Sequence, residues 1–211
     1  MKRYGKIFLL WVLALALISL TACSGGEEGQ EAKAEEVLIP VSVNGTEIRV
    51  GETTVQALLD QGMDVYWVDE NYERVTVDAD EMLEAESYYS GGNISVNEDI
   101  YAQISLVTEE EDIPMGQAVI ARLEFQLYGE EDSAELDKIT IDGVKLTEMT
   151  REKAGEMYPD WTGDENMWLK YGLEYQYDLN FDASTGKLIQ FAVERKYDVD
   201  WTGGDGEQTA Y

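Results

Sequence analysis

The 211-residue sequence has no histidine and a single cysteine, Cys23. Without histidine, Ser-His-Asp and Cys-His mechanisms are excluded, and so is every histidine metal ligand. Zinc centres built from Cys and His fall on the same ground. One cysteine cannot close an intramolecular bridge, so the fold must stand on its hydrophobic core. What remains for catalysis is a carboxylate pair, a lysine base or a metal held by oxygen alone. Positive charge is scarce as well. There are 15 Lys and Arg against 44 Asp and Glu, giving a net charge of −29. Such a surface repels nucleic acid and anionic headgroups, so no nucleic-acid partner is expected. The plain account of the charge is a solvated, soluble surface. The sharper account is weak divalent-cation binding or steering toward basic partners.

A long apolar run is also missing. Ile7 to Leu20 is 14 residues, interrupted only by Ser19, whereas a permanent transmembrane helix needs roughly 20. Lys2, Arg3 and Lys6 precede the run, and Leu20-Thr21-Ala22-Cys23 closes it. A charged start, a short apolar stretch and small residues at the end describe an export signal over residues 1–22. Its last four residues resemble the lipobox of bacterial lipoproteins. That resemblance implies cleavage before Cys23 and a diacylglyceryl thioether on its sulfur. Acyl chains of the palmitate kind would then hold the protein on the extracytoplasmic face of the cell membrane. The removed segment carries three cations and no acid, so the net charge would fall from −29 to −32. Two or more chains anchor stably where one binds only marginally.

Residues 23–36 hold no apolar side chain larger than Ala apart from the cysteine itself. Such a segment cannot offset its ordering entropy and reads as a disordered tether. Its reach is on the order of 20 Å. The folded part begins with Val37 to Val50, where Asn44-Gly45 between apolar positions signals a hairpin. Thr53 with Gln56 fits a capping box, and Gly62 fits a helix stop. Val55, Leu58 and Leu59 then face the core. Met63 to Val68 and Arg74 to Val77 read as paired strands. Tyr88 to Val96 reads as an edge strand, and Ile100 to Thr108 pairs with Ala118 to Tyr128. These make a first β-rich unit over 37–128, followed by an acidic connector over 129–138.

A second unit over 139–201 opens like the first. Ile139-Thr140-Ile141-Asp142-Gly143-Val144 echoes Val41-Ser42-Val43-Asn44-Gly45-Thr46, and Thr150 leads a helix that Tyr158-Pro159 ends. From Leu169 to Asp182 apolar and polar residues alternate without a break, which predicts one long antiparallel strand with a wet face. Ala183 to Gly186 turns the chain. Ile189, Phe191, Val193, Tyr197, Val199 and Trp201 return on the apolar side, and 202–211 forms a disordered tail. The fold class expected is α+β: two related units of antiparallel sheet with one short helix each, behind a signal peptide and a tether.

The strand pair, Thr-capped helix, helix-ending proline and hairpin Phe181-Asp182…Gly186-Lys187-Leu188-Ile189 resemble small lipoproteins of the BamE/SmpA type and the beta-lactamase-inhibitor-like fold. Residues 139–201 carry the likeness, with 39–62 matching through its opening. It extends to uncharacterised lipoproteins of Gram-positive gut bacteria. The resemblance implies helices packed on one face of an antiparallel sheet, and a role in protein binding or envelope assembly. The insertion over 63–128 departs from that pattern.

Three sites present themselves. The segment Pro159 to Trp168 places Trp161 and Trp168 around Asp164, with Tyr171 beyond; such residues supply rigid contact area at interfaces. The structural alternative is that both Trp cap the sheet's apolar edge. The acidic loop 109–112, with Asp178, Asn180 and Asp182, could offer oxygen ligands to Ca²⁺, but it lacks the EF-hand pattern and strand-borne ligands diverge. A carboxylate pair for glycoside hydrolysis has no specific signal among 44 acids. The expectation is a non-enzymatic, lipid-anchored binding or structural protein of the cell envelope. It has no catalytic residue, no metal and no cofactor, and an envelope protein or cell-surface ligand as partner. The alternatives are a glycan- or peptide-binding module using the Trp/Tyr surface, and a carboxylate hydrolase.

Overall fold

The Asn44-Gly45 turn decides how the described chain begins. Both residues have positive φ, 52° and 83°, the conformation of a two-residue turn whose twist matches its strands. It joins β1 (Val41–Val43) to β2 (Thr46–Ile48). The computed structural model describes residues 38–69, 71–128, 133–164 and 166–198. The expected export signal (1–22), tether (23–36) and tail (202–211), with Cys23, Val199 and Trp201, lie outside them.

Helix α1 (Val55–Asp60) follows. Its cap is Thr54, one residue later than the capping box predicts. The Thr54 hydroxyl accepts from Ala57 N, while the Thr53 hydroxyl accepts from Arg49 N and holds the approach to the helix. Two threonines in a row each satisfy a different backbone donor, and the spacing rule cannot tell them apart. Next come β3 (Val65–Val68), β4 (Arg74–Thr76), the two-residue β5 (Met82–Leu83), β6 (Ser87–Ser95), β7 (Tyr101–Thr108), β8 (Ile113–Pro114) and β9 (Val119–Gln126). A short helix α2 (Ser133–Leu136) lies in the acidic connector. Strands β10 (Ile139–Ile141) and β11 (Val144–Lys145) lead to α3 (Arg151–Met157), capped by Thr150 as expected. The chain then forms β12 (Thr162–Gly163), β13 (Met167–Tyr171), β14 (Tyr175–Phe181) and β15 (Leu188–Arg195).

Every strand pairing among the described residues is antiparallel, and the fold is sheet-rich α+β. One sheet has the order β11-β10-β1-β2 and the other β12-β13-β14-β15-β9-β7-β6-β3-β4; β5 and β8 form a small ribbon. The four-stranded sheet, α1 and α3 contribute Val41, Leu58, Ile141 and Ala154 to the same core as Leu123, Tyr177 and Phe191 of the large sheet.

Three expectations are corrected. The long strand is two strands. Gly172 N donates to Tyr175 O, and the chain folds back so that Tyr171 pairs with Gln176 and Leu169 with Asp178. The turn is short and its residues continue the alternation, so the sequence shows no break. The β6 strand is interior, held by β3 and β7, rather than an edge. At Gly92, opposite Trp67, a Cβ would stand 1.4 Å from the Trp67 ring, so only glycine leaves room for that side chain. Finally, a register shift at Asn180/Phe181 sets Leu188 opposite Phe181. Leu188 is therefore buried, and Ile189 is 41% exposed instead of facing the core.

Several local features of 41–55 recur in 139–151. Asp142 and Gly143 copy the positive φ of Asn44 and Gly45, at 52° and 76°. Asn44 N donates to Lys138 O and Asp142 N to Pro40 O, across the β1–β10 pair. Thr54 bridges to Val119 at the start of β9, and Thr150 bridges to Lys187 just before β15. Val55 N donates to Ala118 O as Arg151 N donates to Gly186 O. The hairpins share one sheet through β1 and β10, and the last strands share the other through β9 and β15.

Candidate functional site

The refolding of 167–181 into a hairpin moves the predicted site residues apart. Residues directly opposite each other in an antiparallel pair share a face. Leu169, opposite Asp178, and Tyr171, opposite Gln176, therefore lie on the outer, polar face of the large sheet, away from Tyr175 and Tyr177. Trp168, opposite Leu179, stays on the core side.

Trp161 is 7% exposed. Its ring stacks on Tyr158 at 4.4 Å and on Tyr177 at 5.3 Å. Tyr158 donates to Asp142 Oδ2 at 3.3 Å, and burial pushes its hydroxyl well above the ordinary tyrosine range, with Asp142 adding to the effect. This aromatic stack fastens the end of α3 to the sheet. Trp168 is half-buried; its Nε1 donates to Tyr158 O at 3.1 Å, and the Arg151 guanidinium lies 3.9 Å from the ring centroid. Asp164 works on its own turn: Oδ1 accepts from Asn166 N and Met167 N, and these backbone bonds hold its carboxyl below the usual range. Of the three aromatic residues singled out in the sequence, Tyr171 alone is largely exposed, at 63%. Met167 and Leu173 are exposed beside it.

Next to that apolar stripe lies a network the sequence reading did not single out. Glu124 is 8% exposed. It accepts from Arg122 at 2.6 Å, Gln126 at 2.9 Å and Gln190 at 2.5 Å. Arg122 also reaches Glu194 at 2.8 Å, and Gln190 accepts from Asn180 at 2.8 Å. Burial pushes the Glu124 carboxyl up, but the hydrogen bonds outweigh it and hold the group below its ordinary value. The signal was present in the alternation of Arg122, Glu124 and Gln126 with Leu123 and Phe125. Cross-strand register, which brings Gln190, Glu194 and Asn180 alongside, was not readable. Asp178 Oδ1 is buried in this face without a hydrogen-bond partner.

Asp182 serves the β14–β15 turn. Its Oδ1 accepts from the backbone and hydroxyl groups of Ser184 and Thr185, which bring its pKa down to about 2. Among the described residues no group of three or more carboxylates is placed to hold a metal ion. The acidic loop borders a cavity of about 390 Å³ lined by Val107, Val119, Ile113, Gln117 and the three glutamates 109–111. Comparison with known proteins finds no matching family model, no match among curated proteins and none among solved structures.

Proposed function

We propose that this is a lipid-anchored extracytoplasmic protein whose folded part binds a protein partner of the cell envelope without catalysis. The observation that carries the binding reading is the stripe of exposed Met167, Tyr171 and Leu173, with half-buried Leu169 between them, at one end of the polar sheet face. Exposed apolar residues grouped beside polar side chains are the composition of an interaction surface. The neighbouring Glu124 network is already hydrogen-bonded, so little side-chain ordering remains to be lost on binding. A glycan or peptide ligand is the second reading, favoured by the open Tyr171 ring beside the amide of Gln176. Export and anchoring rest on the Leu20 to Cys23 resemblance. We further propose that the halves 37–128 and 139–201 are two related units, on the strength of the matched turns, caps and bridges.

Two measurements test this. Labelled palmitate should enter the wild-type chain and not Cys23→Ser, which should leave the membrane fraction. A photo-crosslinking residue at Tyr171 should give a discrete protein adduct in cells. The same residue at Tyr72, 90% exposed on β3–β4, should give none. Absence of any adduct at 171 would remove the protein-binding reading.

A further inference from the structure

The cavity beside β8 lies outside the Tyr171 stripe and is built differently. Its floor is apolar: Val107 is fully buried and Val119 and Ile113 are partly so, with Tyr88 and Tyr197 packed against Val107 and Ala121 beneath. About 390 Å³ is the size of a small-ligand pocket or one anchored side chain. The rim is held in place by backbone and side-chain bonds. Glu86 N donates to Glu109 O, Ala85 N donates to Asp112 Oδ1, and Leu83 pairs with Ile113 in the β5–β8 ribbon.

Charge decides the occupant. The two segments that meet here, 78–86 and 109–117, carry nine carboxylates and no lysine or arginine. Glu109, Glu110 and Glu111 enter no ion pair among the described residues, whereas Arg49, Arg74, Arg122, Lys138 and Lys145 are each paired elsewhere. An anionic ligand is repelled. A metal ion is not favoured, because the carboxylates do not converge. An apolar floor with an uncompensated anionic rim matches a group that is apolar at its tip and cationic at its flanks. We infer that this cavity is a docking site for a basic peptide segment of a partner protein, one that seats an apolar side chain on Ile113 and Val119 and sets its flanking lysines or arginines against Glu109, Glu110 and Glu111.

The test is calorimetry on the whole protein with three synthetic peptides: acetyl-Lys-Leu-Lys-Leu-Lys-amide, the same peptide with glycine for leucine, and the same with glutamate for lysine. The leucine–lysine peptide should bind at least ten-fold more tightly than the glycine peptide, and the glutamate peptide should not bind. Addition of the leucine–lysine peptide should shift the methyl resonances of Ile113 and Val119. The triple variant Glu109→Gln, Glu110→Gln, Glu111→Gln should weaken it at least ten-fold. The triple variant Glu148→Gln, Glu152→Gln, Glu156→Gln, which removes the same charge around α3, should weaken it less than three-fold. No heat with the leucine–lysine peptide overturns the proposal. So does equal binding of the glycine peptide, or an equal loss in both triple variants, since either would leave only the general field of an acidic protein.

Discussion

Arg122 is the residue on which the outer face of the large sheet depends. It supplies the positive charge at the centre of a network whose other charged members, Glu124 and Glu194, are both acids. Arg122 is part-buried and Glu124 nearly buried, so removing the arginine leaves a carboxylate without compensation at a cost of about 2 kcal/mol, between the exposed and fully buried cases. Arg122→Met should lower the unfolding free energy from urea titration by that order, whereas Tyr171→Ser, which touches an exposed ring, should stay within about 0.5 kcal/mol. The pH sign follows from Glu124. Its folded pKa is lowered, so its contribution is complete above the unfolded value of about 4.3 and is lost as pH falls through the folded one. Arg122→Met raises the folded pKa toward the unfolded one, so acid unfolding should begin at higher pH. An acid titration by circular dichroism checks this. At this scale the sequence was a partial guide: Trp161 and Asp164 were conspicuous by type, yet a ring stack claims the first and a turn the second.

Elements were most legible where local chemistry is strongest. Asn44-Gly45 and Asp142-Gly143 are turns because few other residue pairs accept positive φ twice in succession, and Thr150 is a cap because its hydroxyl reaches the third residue on. The hairpin hidden in Leu169 to Asp182 was not legible, since apolar alternation is a statement about faces and a short turn need not interrupt it. The interior position of β6 was equally hidden, because pairing partners lie far away in sequence. The two caps give an element-scale prediction. Thr54→Ala and Thr150→Ala each remove one hydrogen bond to the helix N-terminus, at Ala57 N and Lys153 N, both 3.2 Å long. Each should cost about 1 kcal/mol, and the double variant should be additive within roughly 0.5 kcal/mol because the caps serve different helices. Thermal unfolding of the three variants measures this.

For the whole molecule, both sheets cross the division between 37–128 and 139–201. Strand β1 pairs with β10, and β9 with β15. Neither half expressed alone has a complete sheet. Each should be largely unfolded by amide exchange, and mixing the two should restore protection at Val41, Ile141, Leu123 and Val193. Protected, independently folded halves would contradict this. The net charge of −29 acts at this scale too, favouring solubility and cationic partners without specifying either sheet.

The same two strand pairs set a timetable. A chain that emerges N-terminus first presents β1 and β9 with open edges, and their partners follow about a hundred and about seventy residues later. Until β10 and β15 arrive, the first half can neither close its sheets nor bury its core. Such long-range closure is slow and leaves unpaired edges open to other chains. The export proposed above would benefit from that delay, with those edges shielded until the last strand is through.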